Sequence, residues 1–105
     1  MKTSELTGAA LDWAVAKCEG KVFDLSPDGY YTYKPSRNWA LGGPIIERES
    51  ISIYPDESDD MADVEWAADS PEAFRWGGPT PLIAAMRCHV ASRLGDEVTV
   101  PDGLV

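Results

Sequence analysis

Apolar residues recur at helical spacing in two stretches of this chain and at short, broken spacing between them. Leu11, Ala14, Val15 and Cys18 follow at i, i+3, i+4 and i+7, the interval that lines one face of an α-helix. Thr7 stands before this run as an N-cap, with Leu6 and Leu11 at the positions of a hydrophobic staple. Gly20 stands where a left-handed residue ends a helix, so the pattern predicts a helix over 7–19. A second stripe of Leu82, Ile83, Met86, Val90 and Leu94 opens at Thr80, with Pro81 at the first helical position, and closes at Gly95. It predicts a helix over 80–94. Leu11, Val15, Ile83, Met86, Val90 and Leu94 are the expected core, while Trp13 lies off its stripe.

From Lys21 to Ala67 the runs are short and rich in aromatic and β-branched residues, which predicts strands near 21–25, 29–34, 44–53 and 63–67. Pro27-Asp28-Gly29 is a turn signal that joins the first two as a hairpin. Asp96 to Pro101 alternates like a short edge strand that proline terminates. The economical architecture is one α+β domain over residues 1–105, with two helices packed on one face of a small antiparallel sheet.

Charge narrows the function classes. Eighteen acidic against nine basic residues give a net charge of -9, which repels phosphate backbones and argues against nucleic acid as a partner. No run is long and apolar enough for a membrane span, and none has the form of a signal peptide. Met1 reads as the native start, and a cytosolic, reducing setting is the expected location. Cys18 and Cys88 sit in apolar helical patterns, as buried free thiols of a reducing compartment do.

The acidic stretch 55–60, with Asp63 and Glu65, lacks the glycine and terminal glutamate of a calcium loop and reads as solvated surface. Asp12 is explained by the helix dipole, which favours an acid in the first turns. His89 is the only histidine, and no phosphate loop or dinucleotide fingerprint occurs, so neither catalytic residues, a metal centre nor a cofactor is assigned. A small enzyme with Asp12 or Glu47 as general base is the weaker class; a non-enzymatic protein is expected.

Two tryptophan-led Gly-Gly-Pro segments carry the candidate site: Asn38-Trp39 through Gly42-Gly43-Pro44 to Glu47, and Arg75-Trp76-Gly77-Gly78-Pro79-Thr80. Glycine pairs allow a turn or a close backbone approach, and helix N-termini attract anions. Arg37, Arg48 and Arg75 border these segments in an otherwise acidic chain, and Trp39 and Trp76 offer flat faces to a ring. The candidate ligand-binding residues are therefore Arg37, Asn38, Trp39, Gly42, Gly43, Glu47, Arg75, Trp76, Gly78 and Thr80. Glu47 either accepts from a ligand hydroxyl or pairs with an arginine. The plain alternative is that the glycines only make turns and the tryptophans only fill the core.

Three blocks, Leu6 through Ala16, Asn38-Trp39 through Glu47, and Gly78 through Arg87, resemble in order the NinX-like family of small proteins from lambdoid phages and their prophages. The resemblance implies a non-essential phage accessory protein made in the bacterial cytoplasm, and implies no reaction. Combined with the candidate site, it gives an expectation of a protein that binds, and sequesters, a small anionic or nucleotide-like molecule to modulate host defence. The alternative is an acidic interaction module that inhibits a host protein. Four Trp and four Tyr leave a homo-oligomer open.

Overall fold

The computed structural model describes residues 1–57 and 65–104. The fold is α+β, with three helices and a three-stranded antiparallel sheet, and one helix packed on that sheet. The elements are α1 (Gly8–Glu19), α2 (Trp39–Arg48), β1 (Ser52–Pro55), β2 (Trp66–Ser70), β3 (Ala73–Gly78) and α3 (Pro81–Leu94). Short 3-10 turns cover Thr3–Glu5 and Asp102–Leu104.

The two helices read from their stripes form within a residue of the expected bounds. At α3 the Thr80 hydroxyl accepts from the Ile83 amide at 3.1 Å, and Pro81 occupies the first turn. At α1 Thr7 is extended as an N-cap should be, but its side chain makes no capping bond. Gly20 ends α1 with φ of 65°, the left-handed conformation that glycine adopts freely.

α3 is the central element, flanked by the sheet on one side and by α1 and α2 on the other. It is therefore buried around most of its circumference. Ala84, Ala85, Cys88 and His89 join Leu82, Met86 and Val90 inside, while Ile83 and Leu94 are only half-buried. Leu6, Leu11 and Val15 are fully buried against it. Cys88 is buried and Cys18 half-buried, both as free thiols; burial pushes Cys18 up to about 11.

Between the flanking helices the structure departs from the sequence pattern. The expected hairpin over 21–34 contains no strand. Its turn does form, with the Gly29 amide donating to the Ser26 carbonyl at 2.9 Å. The flanking residues, however, are held by side chains rather than by a backbone ladder. Phe23 packs on Tyr31 with ring centroids 4.8 Å apart, and Tyr31 is buried against α1. The expected strand over 44–53 is instead the second half of α2 followed by β1.

The first Gly-Gly-Pro is thus not a turn but the middle of a helix. Asn38 caps it by accepting from the Ala40 amide at 2.9 Å. Gly42 is required by its seat, because a Cβ there would lie 2.6 Å from the Pro35 carbonyl oxygen and 2.7 Å from Leu82 Cδ2. Tertiary contact overrides the poor helix propensity of glycine and proline.

In the sheet, Ile53, Ala68 and Trp76 share the core face, joined by Trp66. The register shifts between Ala68 and Ser70, so that Phe74 and Arg75 together face Asp69. Arg75 takes a φ of 56° there, and its amide donates to Asp69 Oδ1. Both outer strands are blunted: β1 ends in Pro55, and the Gly77 carbonyl of β3 accepts from Arg87 at 2.9 Å.

The expected strand near 63–67 appears as β2 from Trp66 onward; residues 63–64, like most of the acidic stretch beyond 57, lie outside the described residues. The tail makes a single bridge, Lys2 with Glu97, in place of an edge strand.

Candidate functional site

Trp39, Arg37 and Ser36 from the start of α2, and Thr80 to Ile83 from the start of α3, line one open groove of about 260 Å³. Two helix N-termini meet here, because Gly42 lets α2 lie directly against Leu82. Each N-terminus carries the positive end of a helix dipole. Trp39 is 55% exposed, so a large indole stands in solvent beside that positive end.

The loop that presents Arg37 is held by a buried acid. Asp12 of α1 is fully buried; its Oδ2 accepts from the Tyr31 hydroxyl at 2.7 Å and its Oδ1 from the Ser36 amide at 2.9 Å. Arg37 Nη2 donates to the same Tyr31 oxygen at 2.9 Å, with the guanidinium 5.8 Å from the Tyr31 ring centre. Burial, then the bond to Asp12, pushes the Tyr31 hydroxyl up to about 12, so it stays protonated and able to donate. Asp12 is therefore a positioning residue for the groove, which the dipole argument overlooked. Its sequence signal is a carboxylate beside Leu11 at the margin of an apolar stripe, where a lone charge needs partners.

Charge separates Arg37 from the other arginines. Arg48, Arg75 and Arg93 each meet a carboxylate within 3.4 Å, and Arg87 donates to the Leu6 and Gly77 carbonyls. Among the described residues Arg37 is in no ion pair, and Lys34 beside it lies over the Tyr30 and Tyr31 rings.

Not all the residues singled out in the sequence share this groove. Asn38 serves as the α2 cap, and Gly42 and Gly78 serve packing: a Cβ at Gly78 would lie 2.7 Å from the Ala84 nitrogen. Trp76 lines a separate hollow with Lys2, Ser4, Asp96 and Glu97. Arg75 reaches toward Asp56 at 3.4 Å. Gly43 and Glu47 lie in a third hollow, along α2, with Pro44 and Arg48.

A second polar cluster fastens the far ends of the helices. Glu19 accepts two bonds from Arg48, at 2.8 and 2.6 Å, and meets His89 Nε2 at 3.0 Å. The Arg48 bonds hold Glu19 below the usual carboxylate range, and burial pushes His89 down. Among the described residues no trio of His, Cys, Asp and Glu is placed to hold a metal ion, and no helix is long and apolar enough to cross a membrane.

The domain is α+β, and its candidate site is a groove at which two helix N-termini border an arginine and an exposed indole. The model of the family described as Bacteriophage P22, NinX, matches residues 2–93, and the chain belongs to that family. A search of the curated proteins gave no match.

Proposed function

We propose that this NinX-family phage protein is a non-enzymatic binding module that captures a small anionic, nucleotide-like molecule in the groove between α2 and α3. The observation that carries the reading is the meeting of Arg37, outside any ion pair among the described residues, with the exposed Trp39 indole at two helix N-termini. A guanidinium and helix dipoles complement a phosphate, and an indole complements a planar ring. The groove is small, so it holds one ring with its phosphate rather than an extended polymer. That limit agrees with a chain of net charge -9, which disfavours long polyanions. Acting in the cytoplasm of the infected bacterium, such a protein withdraws its ligand from host processes that depend on it.

Calorimetric titration with a panel of mononucleotides and the matching uncharged nucleosides tests this. Nucleotides bind and nucleosides do not; Arg37→Ala and Trp39→Ala each weaken binding by about tenfold or more, as loss of a charge-assisted bond or a stacked ring does. Trp76→Ala and Arg75→Ala leave it unchanged. Equal binding of nucleosides, or an equal loss with Trp76→Ala, overturns the proposal.

A further inference from the structure

The inner face of α2 buries Gly42 and Ile45, but its outer face carries a projection at one end and a depression at the other. The projection is Trp39, 55% exposed. The depression is a hollow of about 620 Å³ lined by Gly43, Pro44, Glu47 and Arg48, open because no atom lies within 4 Å of where a Gly43 Cβ would stand. Charge follows shape. Arg37 adjoins the projection and Glu47 lines the depression, and among the described residues neither belongs to an ion pair. Arg48, at the rim, is already committed to Glu19 and Glu49.

We infer that a second copy of this chain docks on α2 in an isologous pair, each Trp39 seated over Gly43 and Pro44 of the other copy. A two-fold axis over the outer face of α2, level with residues 41–42, sets the helices antiparallel and brings projection to depression twice. The same axis brings Arg37 of each copy toward Glu47 of the other, since positions 37 and 47 are centred on 42 and positions 39 and 43–44 within one residue of it. Gly43, with nothing within 4 Å of its Cβ position, leaves room for the seated indole to approach the backbone. A surface that is complementary to itself in shape and in sign selects its own copy over a foreign partner.

This inference shares Arg37 and Trp39 with the proposed binding groove but does not depend on the ligand. Second copy and ligand compete for those residues, so each lowers the apparent affinity of the other.

Sedimentation equilibrium of the ligand-free protein over a wide concentration range tests it, with circular dichroism confirming that each variant is folded. The wild type associates to a dimer. Trp39→Ala weakens association by about tenfold or more because it empties the seat, and Arg37→Glu and Glu47→Arg each do so by setting like charges face to face. The double exchange of Arg37→Glu with Glu47→Arg restores it. A wild type that stays monomeric at its highest concentration, or a double exchange that fails to restore the dimer, overturns the inference. Glu47→Arg, whose position lies outside the groove, retains nucleotide binding as a monomer. Loss of nucleotide binding with an intact charge-swap rescue would therefore sink only the binding proposal, and the converse only the dimer.

Discussion

The two Gly-Gly-Pro segments begin alike and end as opposites. In the first, Trp39, the glycines and Pro44 are all helix; in the second, Trp76 and its glycines close a strand, and Pro79 leads to the cap of α3. Three shared residues do not decide between helix and strand. What decides is the seat each inner glycine finds: Gly42 fits beneath the Pro35 carbonyl and Leu82, and Gly78 against the first turn of α3. Both seats border α3, which is why the segments lie near one another despite different conformations.

The comparison is sharpened first by filling the two seats. Gly42→Ala and Gly78→Ala each place a methyl within 2.7 Å of backbone, and each is expected to cost about 2 kcal/mol or more, the range for overpacking a rigid site. Urea unfolding measures both. If Gly42→Ala is instead stabilising, as helix propensity alone would make it, the close approach of α2 to Leu82 is wrong.

The prolines should differ next. Pro44 lies in the interior of α2, where it removes a backbone donor. Pro44→Ala is expected to stabilise by about 1–2 kcal/mol, the helical gain less the stiffness proline gives the unfolded chain. Pro79→Ala, outside any helix, is expected to lose a few tenths of a kcal/mol through that unfolded-state term alone. Thermal melts of the pair read this sign difference.

The caps should then agree. Asn38→Ala and Thr80→Ala each remove one side-chain acceptor of a helix amide and should cost about 1 kcal/mol. Unequal losses would show that one helix start is held mainly by the groove around it.

The smallest effect at neutral pH appears only on acidification. Glu49 titrates at about 2 and Glu19 also below its ordinary 4.5, first because Arg48 donates to each. A carboxylate lowered on folding contributes stability that is complete above its unfolded value and is lost as pH falls through the folded one. His89, pushed down by burial from 6.5, adds a loss that begins as pH falls below that unfolded value. Amides of α2, whose C-terminal end depends on the Glu19–Arg48 clamp, should therefore lose protection, taken relative to their intrinsic exchange rates, between about pH 7 and pH 4, ahead of those of β3. Hydrogen exchange shows whether the order holds.

What could be read from the sequence was what local chemistry sets. Thr80, Pro81 and Gly95 bracket α3, and the 3.6-residue spacing of Leu11, Val15 and Cys18 marks α1. α2 was hidden because its helix-breaking residues are sustained by contacts with the Pro35 carbonyl and with Leu82, the latter forty positions away and outside any local window. The 21–34 segment looked like a hairpin because its aromatic residues suit a strand. They are instead tied to α1, with Tyr31 hydrogen-bonded to Asp12 nineteen positions away. Of the site, Arg37, Trp39 and Thr80 were singled out and do line one groove. The sorting of Trp76 to another hollow follows from its register opposite Ala68, a pairing not visible in composition.

The blunted sheet has a consequence for how the protein behaves when crowded. Pro55 at the end of one outer strand, and the Arg87 bond to Gly77 on the other, remove backbone groups that a foreign strand would need. Edge addition therefore meets one interruption on each side of the sheet, which shortens the template open to a foreign strand. Copies of this chain packed closely together thus meet an interruption at each sheet edge, where an unguarded three-stranded sheet would begin to knit chains together.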